Sequence, residues 1–191
     1  MNKKELSNKN NLFIVGSARG VKRFYIVNQI MQQFPKAKVI HTGNLLKKII
    51  RDLGFVDMDS ISILNYYRFV EPVFSEIILS HLEHSDVILD THYYYLLPGL
   101  SIKEILKFKG KISKAILILV EQNIEDIFKD NDGEWFSNLK NIEEDVLLNS
   151  FSFETYREIF STFSKVFPLK INLNNIPDLS LKKLFETIKN K

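Results

Sequence analysis

Cysteine is absent from the 191-residue chain, and with it go disulfides, thiolate zinc sites, iron–sulfur clusters and cysteine nucleophiles. Long apolar runs are missing too: the longest, Ala115 to Val120, has six residues, against the roughly 20 that a bilayer-spanning helix needs. No membrane span is expected. The opening MNKKELSNKNN is polar and lacks the apolar stretch of a secretory signal, so a cytoplasmic location is expected. Neither sign of charge dominates, since 26 basic residues face 23 acidic ones for a net +3. A duplex-binding surface would be denser and more clustered in cations, so nucleic acid is not an expected partner. Core material is plentiful, with 45% hydrophobic content, 15 Phe and 7 Tyr, and the length is that of one domain. The expected organisation is a flexible tail over 1–11 and a single domain over 12–191.

Five short runs have the β-branched and aliphatic character of strands buried on both faces: Leu12 to Val15, Lys38 to His41, Val87 to Thr91, Ala115 to Val120 and Leu169 to Leu173. The segments between them carry helical spacing. Such alternation implies right-handed βαβ units and an α/β fold, a parallel sheet with helices on both faces. The clearest helix follows the second strand, where Leu45, Leu46, Ile49, Ile50 and Leu53 form an apolar stripe, Lys47, Lys48 and Arg51 face away, and Gly54 suits the C′ position. A pattern from Ser60 to Glu83 is interrupted by Pro72, which predicts a kink or a new helix there. Helices are also predicted over Val21 to Gln33, Ser101 to Lys107, Asn123 to Asp130, Glu143 to Val166 and Ser180 to Asn190.

Two of only seven glycines, Gly16 and Gly20, directly follow the first strand, where an open parallel sheet places its ligand crevice. The run Gly16-Ser17-Ala18-Arg19-Gly20-Val21-Lys22-Arg23-Phe24 is an altered form of the phosphate-binding pattern G-x-x-x-x-G-K-[ST]. In that pattern bare amides curl round phosphates, the lysine reaches the terminal phosphates and the hydroxyl holds magnesium. Gly16 and Lys22 are in register; Val21 replaces the second glycine and Arg23 the hydroxyl residue. A β-branched residue resists positive φ, so Gly20 is expected to take the tight turn one residue early. Arg23 removes the magnesium ligand and puts a cation near its place, so Arg19, Lys22 and Arg23 would neutralise ATP or another nucleotide without Mg2+. The plain alternative is a tight strand-to-helix turn with no ligand.

The order of strand, modified phosphate loop, Val39-Ile40-His41-Thr42-Gly43-Asn44, Val87-Ile88-Leu89-Asp90-Thr91-His92 and Leu97-Pro98-Gly99-Leu100 resembles the archaeal-type adenylate kinases. The likeness runs from about Leu12 to Leu173. It implies a P-loop kinase fold with sheet order 2-3-1-4-5, a donor site over residues 16–24, an acceptor nucleotide site between helices of 44–84, a lid-like segment over 121–145, and a trimer. Carried over by position, Lys22 is the phosphate-contacting lysine and Asp90 the carboxylate that orients magnesium or its water. Thr42, Gly43, Asn44, Arg68, Thr91 and His92 line the acceptor pocket. Asp90 and Thr91 as turn caps, and His92 as a packing residue, are the alternatives.

The departures from that pattern concern charge. Phosphoryl transfer depends on positioning and on cations over the migrating group, yet no arginine occurs between Phe69 and Tyr156. The segment 121–145 holds nine acids and two bases, a net of −7. No arginine follows Gly54-Phe55-Val56 closely, and Arg68 replaces it only if its helix presents it to the cleft. Three readings follow: a nucleotide-binding protein with impaired or lost phosphoryl transfer; an active monophosphate kinase making ADP from ATP and AMP with rearranged cations; and a protein or RNA interaction module on the same fold. Tyr66-Tyr67 and Tyr93-Tyr94-Tyr95 are candidates for stacking on a base or for packing. His81 and His84 lack a third metal ligand nearby in sequence.

Overall fold

Strands this apolar must be covered on both faces, and helices cover them. The computed structural model of the protein describes residues 10–58, 60–93, 100–130, 139–175, 182, 185, 186 and 188. Its strands β1 (Asn10–Ser17), β2 (Lys38–His41), β3 (Val87–Thr91), β4 (Ile112–Glu121) and β5 (Lys165–Asn172) form one parallel sheet in the order 2-3-1-4-5, as expected. Along β1, Leu12 and Ile14 enter one apolar cluster while Phe13 and Val15 enter the other, and in β4 Ala115, Leu117 and Leu119 alternate with Ile116, Ile118 and Val120 in the same way. Side chains of successive strand residues point to opposite faces, so the sheet divides the core in two.

Helix α1 (Phe24–Gln33) covers one face with Ile26, Val27 and Ile30, joined by Ile127 of α6 (Ile124–Asp130) and by Phe185 and Ile188 near the C-terminus. The other face carries α2 (Thr42–Asp52), α4 (Glu71–Leu82) and α5 (Ile102–Leu106). A single turn, α3 (Ile63–Asn65), and a π-helical turn, Tyr66–Val70, lead into α4. Pro72 follows this π-helical turn closely, and Val70 and Glu71 before it keep helical φ and ψ, so the helix runs past the proline through a widened turn and does not end there. Helix α7 (Leu139–Ser161) gives Ile142 to one cluster and Phe153, Tyr156 and Phe160 to the other. It therefore spans both layers.

Four expectations are corrected. Asn10 and Asn11 belong to β1 rather than to a tail, with Asn10 Nδ2 donating to the Leu82 carbonyl at 2.7 Å and Asn11 N–H donating to Asp86 Oδ1 at 2.7 Å. The helix expected from Val21 starts at Phe24, because residues 18–23 are turned into the loop. The helix expected to reach Val166 stops at Ser161, where Thr162, Phe163 and Ser164 turn back on its last carbonyls. The fifth strand consequently begins at Lys165 and ends at Asn172, with Leu173 in a 3-10 turn. The expected helix over 180–190 and the tail before Asn10 lie wholly or largely outside the described residues.

Gly16 is the last β1 residue but one, paired with Thr91 of β3 and Leu119 of β4. The Tyr93 ring lies against it: a methyl at Gly16 would sit 2.6 Å from Cε2 and closer still to Cδ2. Tyr93 is fully buried, T-stacked on Phe153, and donates its hydroxyl proton to the Ile14 carbonyl at 2.7 Å. It is a packing residue and not the exposed stacking platform the sequence also allowed. Gly16→Ala should destabilise the protein by about 2–3 kcal/mol through overpacking. Tyr93→Leu should cost a similar amount alone, but much less in the Gly16→Ala background, and a double-mutant cycle from urea unfolding measures that coupling.

Candidate phosphate-loop site

The loop begins where β1 runs out at the carboxyl edge of the sheet. Ala18 and Val21 turn inward and join the cluster of Phe13, Val15 and Ile26, each less than a tenth exposed. Positive φ falls on Gly20, at 81°, so the turn moves one residue early and Val21 serves as an apolar plug. The Arg23 N–H donates to the Val21 carbonyl at 2.9 Å, and the Arg23 carbonyl accepts the first N–H groups of α1, from Ile26 at 3.0 Å and Val27 at 3.2 Å. Each consequence follows from the two replacements seen in the sequence.

Arg23 points across the loop. Its Nε donates to Asp90 Oδ1, Nη1 donates to Ser17 Oγ at 3.1 Å, and the same Nη1 lies 3.5 Å from His92 Nε2. The other Asp90 oxygen, Oδ2, is 2.7 Å from His41 Nδ1, the residue opposite it in the β2–β3 register. Both oxygens of Asp90 are therefore taken by nitrogen groups. His92 Nδ1 lies 2.8 Å from the Ser17 carbonyl, which can only accept, so Nδ1 carries the proton and Nε2 presents its lone pair to Arg23. Burial foremost, then the Arg23 charge, pushes the His92 pKa down to about 4. It is a neutral strut between β3 and the loop.

Arg19 is engaged from the opposite side. Its backbone N–H donates to Asp145 Oδ2 at 2.7 Å, and its Nε lies 3.6 Å from Oδ1 of the same carboxylate. Asp145 comes from α7, is 4% exposed, and hands its own carbonyl to Asn149 Nδ2 at 2.7 Å. In a phosphate loop such amides face an anion; here the anion is a side chain of the protein. Lys22 is exposed. Two of the loop cations thus reach separate carboxylates, Arg19 that of Asp145 and Arg23 that of Asp90.

Of the expected acceptor residues, two meet directly. Thr42 and Thr91 are buried and bonded to each other, Oγ1 to Oγ1 at 2.8 Å, which ties α2 to β3. Gly43 and Asn44 are exposed, and the Arg68 guanidinium lies 5.2 Å from the Phe69 ring centroid. The cations on this side belong to α2: Asn44, Lys47, Lys48, Arg51 and Asp52 line an open cleft of about 500 Å³. Their spacing of three and four residues was visible in sequence as the polar face of α2. Asp145 was visible too, as a charged residue beside the apolar stripe of Ile142, Val146 and Phe153, whereas the His41–Asp90 contact needed the strand register.

A second cavity, of about 400 Å³, opens at the carboxyl ends of β4 and β5 beside the loop. Its floor is Ala18, Val21, Leu119, Val120, Ile124 and Val146, and its hydrogen-bonding groups are Gln122, Asn123, Asn149, Ser150 and Asn172, with Glu121 and Glu125 at the rim. Among the described residues no group of three or more His, Asp or Glu could hold a metal ion, and no helix is long and apolar enough to cross a membrane. His81 and His84 therefore form no such cluster. Leu97, Pro98, Gly99, Tyr94, Tyr95, Trp135 and Phe136 lie outside the described residues.

The His92 strut has a pH signature. Its folded pKa lies below the unfolded value of about 6.5, so the stability it supports is complete above pH 6.5 and is lost as pH falls toward 4. The loss is about 3 kcal/mol at most. Urea unfolding of wild type and His92→Gln at pH 7 and pH 4.5 should show the steeper decline in wild type, and a His92 NMR titration midpoint near 6.5 would refute the strut.

No family model matches the chain, and no curated protein matches it. Similarity is found among solved structures. The Thermus thermophilus protein TT1252 aligns with a TM-score of 0.53 at 12% identity, covering 93% of this chain and 97% of that one. A provisionally assigned kinase from Chloroflexus aurantiacus gives 0.51 at 7% identity, over 95% and 98% of the two chains. An uncharacterised protein from Eubacterium ventriosum gives 0.50 at 11% identity, over 96% and 100%. Identities this low speak to fold alone, and the fold is the α/β architecture of P-loop NTPases, five parallel strands in the order 2-3-1-4-5 with the loop after the first.

Proposed function

We propose that this protein is an adenylate-kinase-like nucleotide-binding protein in which phosphoryl transfer is impaired. The observation that carries the reading is the Arg23 guanidinium, bonded to Asp90 and Ser17 in the place where a hydroxyl and a carboxylate would hold magnesium. The donor set does not suit a divalent ion. One ligand has become a cation, and both oxygens of the remaining carboxylate are occupied. The base and ribose of the nucleotide fit the cavity beside the loop, whose apolar floor and carboxamides match a planar heterocycle with hydrogen-bonding edges. Transfer suffers because two of the three loop cations are already neutralised by Asp90 and Asp145. Loss of even one charge stabiliser in such a site costs orders of magnitude in rate.

The second reading, an active monophosphate kinase, draws on the cationic face of α2, where Lys47, Lys48 and Arg51 could seat an acceptor phosphate. A coupled assay for ADP from ATP and AMP separates the two. The expected result is turnover at least about a thousandfold below the 1–1000 per second usual for enzymes; turnover within that range would establish the second reading. Calorimetry should find nucleotide affinity indifferent to Mg2+ in the wild type and Mg2+-dependent in Arg23→Thr, which restores the hydroxyl and frees Asp90. Magnesium-dependent binding by the unaltered chain would sink the proposal.

A further inference from the structure

The cavity beside the loop differs from a polyphosphate site in its charge. Among the described residues none of its lining groups is a cation, while Glu121 and Glu125 stand at its rim. Between cavity and loop stands Asp145, one residue before Val146, which lines the cavity, and bonded to Arg19, one residue after Ala18, which lines it too. Asp145 is 4% exposed and already accepts the Arg19 amide, so an incoming phosphate would meet an anion where it needs a donor. Asn149, 1% exposed, lines the same cavity and donates to the Asp145 backbone carbonyl one turn earlier in α7.

We infer that the ligand class of this cavity is an unphosphorylated nucleoside or other neutral heterocycle, and that each phosphate added to the nucleoside weakens binding. The inference rests on the reading of the cavity as a nucleotide's base seat and deepens it. The six aliphatic side chains supply the apolar surface, four carboxamides and Ser150 supply donors and acceptors, and the carboxylates suit ribose hydroxyls, which donate. Like charges close together in a partly desolvated site repel far more than they do in bulk water. Asp145 and the two rim glutamates therefore act as specificity-determining groups against phosphate.

Isothermal calorimetry on the full chain against adenosine, AMP and ATP, with the guanine series in parallel and no added metal, tests the ranking. Affinity should fall along each series, with the nucleoside at least about tenfold tighter than its triphosphate, and the gap should close in about 0.5 M salt. Asp145→Asn keeps an acceptor for Arg19 and should narrow the gap. The double variant Glu121→Gln/Glu125→Gln, at partly exposed rim positions whose change spares the core, should narrow it as well. A triphosphate that binds as tightly as its nucleoside overturns the inference and leaves the nucleotide-binding reading standing. If neither series binds at all, both fail.

Discussion

Two carboxylates, the buried Asp145 and the half-buried Asp90, govern the loop after β1. Asp90 at the end of β3 holds Arg23 and His41, and Asp145 on α7 holds Arg19. Removing the Arg19 side of its pair would leave the 4%-exposed Asp145 carboxylate without its partner, which is costly for a buried charge. The pairs therefore set the loop's shape as firmly as the apolar plug of Ala18 and Val21 does. Two cations of this loop, Arg19 and Arg23, are thereby tied into the scaffold.

The arrangement depends on where α7 runs. Its first half gives Ile142 to the cluster that α1 also enters, and its second half gives Phe153, Tyr156 and Phe160 to the opposite one, so the residues between reach the carboxyl edge. Asp145 and Asn149 are nearly inaccessible polar groups in that stretch, and each finds a partner close by. Buried polar groups are retained when satisfied and are costly otherwise. The same crossing brings Val146, Asn149 and Ser150 to the cavity wall, which couples the loop's internal anion to the pocket beside it.

Charge is divided between the two edges of the sheet. The helix after edge strand β2 presents Lys47, Lys48 and Arg51, whereas the cavity at β4 and β5 presents Glu121 and Glu125 and no base among its described lining. The net +3 of the whole chain conceals this asymmetry.

The fold was legible in the residues because buried parallel strands need near-continuous apolar runs and their crossovers have one hand. Composition and spacing therefore led to five strands and, with the family resemblance, to their order. The loop was legible as an anomaly: Val21 and Arg23 stood where glycine and a hydroxyl residue were expected, and Gly20 did take the turn. Strand and helix ends were less legible, because Asn10 and Asn11 are held by Leu82 and Asp86, far away in sequence. Tertiary structure alone decided the partners of the charged side chains. Ion pairs between Arg23 and Asp90, or Arg19 and Asp145, join positions 67 and 126 residues apart, and no local pattern encodes such a distance. It also decided why position 16 is glycine, since a ring from beyond β3 fills the space a side chain would need.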